Sequence, residues 1–225
     1  MIALSSRHVD AEPLIGALTL GAAPLSIPAV AAPGAIAGVV TMPAAAGHAR
    51  VVDLGTLGGT SSIADGINAC GQVAGGAATP AGDSHAFRWT PSAGMTDLGT
   101  LGGTYSFAHG INARGQVTGT AATAAGDDHA FRWTPSAGMT DLGTLGGTSS
   151  VADGINVRGQ VAGGAGTAAG DNHAFRWTPP AGMTDLGILD GTYPYSFAYG
   201  INAHGQVTGT AATAAGETHA TLCRG

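Results

Sequence analysis

Residues Asp97–Thr140 read DLGTLGGTYSFAHGINARGQVTGTAATAAGDDHAFRWTPSAGMT, and this 44-residue sentence recurs along the chain. The next unit, Asp141–Thr184, matches it at 35 of 44 positions; another copy begins at Asp53, and a shortened one at Asp185. A fixed period of this length marks a repeat architecture, in which each unit is one supersecondary piece that buries its apolar face by stacking on the next. One consequence bears on function. A residue type present in every unit serves the repeat before it serves any single active site.

The unit starting at Asp53 shows the local structure. Ser62–Asn68 is a short run with Ile63, Asp65 and Ile67 on one face. Ala69-Cys70-Gly71 turns the chain, and Gln72–Ala77 forms a second run, so a β-hairpin is predicted. Thr79–Asp83 is a loop by composition. His85–Thr90 is a third run, with His85, Phe87 and Trp89 on one face and Ala86 and Arg88 on the other. Pro91–Gly94 turns again, and Met95–Gly99 is a fourth run. No segment of the unit holds helical spacing over three turns, and glycine recurs too often for a stable helix.

Four short strands in 44 residues predict an all-β fold, a β-propeller with four four-stranded blades. A parallel β-helix is the alternative, but its rungs come from shorter repeats and need no antiparallel hairpins. The repeat region opens on Val51-Val52-Asp53-Leu54, a fourth-strand sequence, and ends on His219–Cys223, a third-strand sequence. That offset predicts terminal-strand closure, with the first segment completing the last blade. Half of an eight-bladed dimer ring, or an open fragment, would satisfy the same sequence. Units one and three match at 37 of 44 positions, while units two and four share Tyr-Ser-Phe and Thr-Gly-Thr variants. The order is therefore ABAB.

Composition narrows the function. Of 225 residues, 39 are glycine and only 10% are charged; all eight basic residues are arginine, and the net charge is −6. Arg88, Arg132 and Arg176 recur singly and no basic run gathers them into a patch, which argues against a nucleic-acid footprint. Residues 1–49 differ in character from the repeat domain at 50–225. Leu14 to Ala49 carries no charged side chain and is broken by Pro24, Pro28, Pro33 and Pro43, which argue against a membrane-spanning helix. An apolar core at Leu14–Leu25 with small residues at Ala29-Val30-Ala31 or near Ala49 fits an export signal. A floppy apolar tail is the alternative. Cys70 and Cys223 belong to no CxxC pair, and a disulfide between them would suit neighbouring blades in an oxidising compartment.

Several motifs recur in order. Asp-Leu-Gly-Thr-Leu-Gly-Gly is followed by Gly-Ile-Asn-x-x-Gly-Gln-Val-x-Gly and then by His-Ala-Phe-x-Trp, with the triplet at His85–Phe87, His129–Phe131 and His173–Phe175. Over nearly all of 50–225 the chain resembles the HAF-repeat family of extracellular bacterial proteins. The resemblance implies a secreted or surface-exposed repeat protein and carries no catalytic residues with it. The last unit departs from the pattern, with His219-Ala220-Thr221-Leu222-Cys223 in place of His-Ala-Phe-Arg-Trp.

Two sets of residues could carry chemistry. The first is the acid–imidazole pair of each unit: Asp83 with His85, Asp127 with His129, Asp171 with His173, and Glu217 with His219. Such pairs could bind a polar ligand, but each unit supplies only two donors where a metal needs three or four. Their simpler reading is structural, a histidine at a strand start held by a nearby acid. The second set is the position before Gly-Ile-Asn, which varies: Asp65, His109, Asp153 and Tyr199. Facing a central channel, these four would converge as a divalent-cation site. Apart from that cation, no cofactor is expected. The Gly-Gly pairs lack the Lys-Ser/Thr ending of a phosphate loop, and no serine sits in a nucleophile elbow.

The expectation is an exported, non-catalytic scaffold at the cell surface or outside the cell. It would be a monomer or homodimer, binding a glycan or other surface component through the loops at 79–84, 123–128, 167–172 and 213–218. A hydrolase or lyase using channel carboxylates is the competing function, and a fragmentary repeat protein without a ligand is the third.

Overall fold

The computed structural model describes residues 51–190 and 193–224. The expected export signal at 1–49 lies outside the described residues. Every regular element described is a β-strand. The first sheet contains β1 (Ser62–Ile67), β2 (Val73–Ala78), β3 (Ser84–Thr90) and β4 (Gly94–Asp97). The second contains β5 (Gly102–Ile111), β6 (Val117–Thr123), β7 (Asp128–Thr134) and β8 (Gly138–Asp141). The third contains β9 (Gly146–Ile155), β10 (Val161–Thr167), β11 (Asn172–Thr178) and β12 (Gly182–Asp185). The last contains β13 (Ser196–Ile201), β14 (Val207–Ala212) and β15 (Thr218–Cys223).

Each sheet is an antiparallel meander with its strands in sequence order, so one repeat makes one blade. Neighbouring blades pack face to face, with the first strands β1, β5, β9 and β13 side by side. The fold is all-β and propeller-like. A parallel β-helix is excluded, because every strand pair within the sheets is antiparallel. The hairpin turns are set by the Asn of Gly-Ile-Asn. Asn112 Oδ1 accepts from the N–H groups of Arg114 and Gln116 at 2.9 and 3.1 Å, and Gly115 completes the turn at φ 70°.

The core lies between blades. Ala74 and Ala86 of the first blade pack on Ala108, Val117, Ala121 and Phe131 of the second, all buried, with Leu98 of the connecting segment between them. The second and third blades repeat the arrangement with Ala130, Leu142, Ala152, Val161, Ala165 and Phe175. Small alanines on the rear of one blade thus receive the large residues on the front of the next. The phenylalanine of His-Ala-Phe is the largest fully buried side chain of blades one to three.

Terminal-strand closure is not formed. Val51–Leu54 is not a strand, Val51 is 94% exposed, and the last sheet has three strands. Leu54 packs beside Val73, Ala77 and Phe87, the place that Leu98 takes beside Val117, Ala121 and Phe131. Counting strands gave the right complement of segments but carries no information about the angle between blades. The described array is open, with an unpaired edge at β15.

A second departure from simple alternation lies inside every blade. The register shifts by one residue between Ala64 and Gly66, between Ala108 and Gly110, and between Ala198 and Gly200, and in the third blade opposite Asp153. Asp65, His109, Asp153 and Tyr199 are therefore the extra residues of β-bulges, which bend a strand and re-aim a side chain. The bulge brings the first strand against the second so closely that only glycine fits. A Cβ at Gly119 would lie 1.9 Å from the carbonyl oxygen of Phe107, and Gly75, Gly163 and Gly209 meet the same obstruction. Gly119→Ala should cost about 1–3 kcal/mol, as overpacking in a rigid site does. Chemical denaturation should read the loss, whereas an unchanged midpoint would mean that the bulge relaxes freely.

Candidate functional site

The recurring polar residues are spent on joining blades. Asn68 Nδ2 donates to the carbonyl of Asn112 at 2.8 Å, Asn112 to that of Asn156 at 2.8 Å, and Asn156 to that of Asn202 at 2.9 Å. A buried serine makes the second link. Ser106 Oγ accepts the backbone N–H of Ala86 in the preceding blade at 2.8 Å and donates to the carbonyl of Gly99. Ser150 does the same for Ala130 and Gly143, and Ser196 for Ala174 and Gly187. The arginine of Phe-Arg-Trp forms a third link. Arg88 lies 5.0 Å over the ring of Trp133, and Arg132 5.6 Å over Trp177, within cation–π range.

The first set of candidate residues resolves differently from the sequence expectation. His85 Nδ1 meets Asp97 Oδ2 at 2.9 Å, not Asp83. His129 meets Asp141, and His173 meets Asp185, each at 2.8 Å. The partner is the aspartate of Asp-Leu-Gly, twelve residues on, because β3 and β4 pair Phe87 with Asp97 and set His85 beside the strand end. The same carboxylate accepts the N–H of Gly99 at 2.8 Å, so it fixes the exit from the blade. Asp83, Asp127 and Asp171 belong instead to the loop between the second and third strands, where their backbone carbonyls accept from Thr79, Thr123 and Thr167. In the last described blade His219 Nε2 lies 3.5 Å from the exposed Glu217.

The second set forms a row and not a ring. As bulge residues on adjacent first strands, Asp65, His109, Asp153 and Tyr199 succeed one another from blade to blade. His109 sits within the row. Its Nδ1 is 3.2 Å from Asp153 Oδ1 and 3.1 Å from the carbonyl oxygen of Ala152. The hydrogen bond to Asp153 raises the His109 pKa above the ordinary imidazole value; burial works against it, and the Asp65 carboxylate adds to the rise. Tyr199 packs its ring on Phe197, with centroids 5.2 Å apart. Among the described residues no three His, Cys, Asp or Glu side chains are grouped as a metal would need. Cys70 and Cys223 are both free thiols.

Two clefts repeat where the sequence placed its contact loops. In the second blade, Gly102–Tyr105 and Ala122–Gly126 enclose a cleft of about 380 Å³. In the third, Gly146–Ser149 and Gly166–Asn172 enclose one of about 390 Å³ at the equivalent place. Their walls are mostly glycine, threonine and alanine. Tyr105 distinguishes the second-blade cleft, and its hydroxyl donates to Asp128 Oδ1. The sequence showed the loops but not the clefts, because the facing wall comes from the start of the first strand, some 20 residues earlier in the chain.

No protein-family model matches the chain, and no curated protein matches it. Among solved structures, the chain is similar to TolB from Acinetobacter baumannii, at 13% identity and a TM-score of 0.45. That match covers 70% of this chain, which spans 42% of the TolB chain.

The His109 environment has a measurable signature. Because the folded-state pKa is raised, protonation of His109 stabilises the fold fully below the ordinary imidazole value, and that contribution is lost as pH rises through the raised value. A ring-proton NMR titration should place its midpoint above that of an unpaired histidine, and Asp153→Asn should bring it down. A midpoint indifferent to Asp153→Asn would contradict the assignment.

Proposed function

We propose that this chain is an exported, non-catalytic repeat scaffold of the β-propeller type that binds glycan at or outside the cell surface. The observation that carries the reading is the pair of equivalent clefts in blades two and three. Each is the size of one or two sugar rings, and the walls include Thr104 and Tyr105 in one and Thr148, Ser149 and Asn172 in the other, hydrogen-bonding side chains of the kind sugar hydroxyls need. Repetition suits a repeating polymer, since modest sites in fixed register add their affinities through effective concentration. The recurring His–Asp, Asn, Ser and Arg groups support a non-catalytic role, because each holds one blade to itself or to the next. The resemblance to HAF-repeat proteins and the apolar leader support a location outside the cell.

Titration calorimetry against a panel of bacterial and plant oligosaccharides tests the proposal. Binding should be weak for a single sugar and tighter for a chain long enough to reach both clefts. Tyr105→Ala should weaken the second-blade site on the order of tenfold, about 1.4 kcal/mol. Affinity unchanged by Tyr105→Ala and by glycan length would remove the clefts from the account.

A further inference from the structure

We propose that the two open ends of the array join in trans: a second copy of this chain docks head to tail, and two copies complete an eight-bladed ring. The contact would continue an interface that the chain already makes three times. Each join uses the rear of one blade and the front of the next. Among the described residues the front of the first blade and the rear of the last pack on no further blade, and the two match feature by feature.

On the rear of the last blade, residues buried elsewhere are open. Ala220, Thr208 and Asn202 are exposed, whereas Ala130 and Thr118 are fully buried and Asn112 nearly so. On the front of the first blade, Ile63 and Ile67 are 68% and 72% exposed. Ser62 Oγ already donates to the carbonyl of Gly55 at 2.7 Å, as Ser106 does to Gly99, and its acceptor side awaits an alanine N–H such as that of Ala220. Asp53 Oδ1 already holds the N–H of Gly55 at 2.9 Å, as Asp97 holds Gly99, and awaits a histidine. His219 is the histidine without that carboxylate. Asn202 Nδ2 would donate to the carbonyl of Asn68, as the other three asparagines do to theirs.

The pairing register follows from the complete blades, where Phe87, Arg88 and Trp89 face Asp97, Thr96 and Met95. It sets Thr221, Leu222 and Cys223 opposite Asp53, Val52 and Val51 of the second copy. Such a strand would cover the unpaired edge of β15, a liability that closed architectures remove. The departure of the last unit from the repeat then has a use. Leu222 replaces the arginine that lies over the next blade's tryptophan and would place an apolar side chain, 50% exposed in the open array, on Trp89.

The ABAB order agrees. Phe107 packs on the bare face of Gly76, and Phe197 on that of Gly164, where a Cβ would come within 2.7 and 2.4 Å of the ring. At the join between the second and third blades the same places hold Thr120 and Val151. A join from the last blade to the first sets Thr210 against Ile63, the threonine–aliphatic kind. A single chain does not bring its own ends together, because three packed joins carry it through four blades with both faces open, and packed joins do not bend continuously. Two copies give eight blades, within the ordinary range of propeller sizes, through a head-to-tail contact that closes.

Sedimentation of the full-length chain should give twice the monomer mass at micromolar concentration. Ile63→Glu and Leu222→Glu sit on opposite ends and are exposed in the monomer, so each should keep the fold by circular dichroism and raise the dissociation constant at least 100-fold. In a Cys70→Ser, Cys223→Ser background, chains carrying Val52→Cys should form a mixed disulfide with chains carrying Leu222→Cys. A monomer mass, species larger than two copies, or a dimer indifferent to both glutamates would overturn the proposal. So would a Val52→Cys, Leu222→Cys chain that closes on itself as a cross-linked monomer.

Discussion

The structure depends on the contact between successive blades. A sheet of this composition cannot stand alone, since its second strand is built from alanine, glycine, threonine and a single valine, and buries little apolar area within itself. Stacking supplies what the strand lacks. The rear of one blade offers small side chains and the front of the next offers Val, Phe and Leu, so the two faces meet at close range and exclude water. Close range in turn requires that backbone groups at the contact be satisfied across it. The Asn112–Asn156 and Ser150–Ala130 hydrogen bonds meet that requirement, and both recur at each join.

Seen this way, the high glycine content has a mechanical cause. Gly119 and its equivalents allow the bulge to press against the second strand, and Gly76 and Gly164 leave room for a phenylalanine from the neighbouring blade. The alternating unit types are two halves of one packing scheme. Where the rear of a blade lacks a Cβ the next blade carries Phe, and where the rear carries Thr the next carries Val. The scheme allows blades to be added in AB pairs and penalises a shift by one unit, which would set Phe107 against a threonine.

Much of this was legible in the sequence, and the failures share a cause. The strands of the first unit lie within a residue or two of where their turn residues placed them, because Asn-x-x-Gly and Pro-x-x-Gly punctuate the chain strongly. Relations between strands were harder to read. His85 was assigned to Asp83 by proximity in sequence, whereas strand pairing delivers Asp97. Asp65, His109, Asp153 and Tyr199 stood out as variable, but a count of alternating side chains cannot register an extra residue, so their place in bulges was hidden. The complementarity of Val51–Leu54 and β15 was visible as arithmetic. Whether the ends of one chain could meet depends on the geometry of the joins, which no local pattern encodes.

The claim that joins between blades hold the fold together is tested most directly by Ser150→Ala, followed by denaturant unfolding. The substitution removes one hydroxyl, leaves both sheets intact and strands the buried N–H of Ala130 at the central join. A single cooperative transition should remain, lowered by about 1–3 kcal/mol, the cost of an unsatisfied buried donor. An unchanged midpoint, or blades that unfold in separate steps in the unmodified protein, would contradict it.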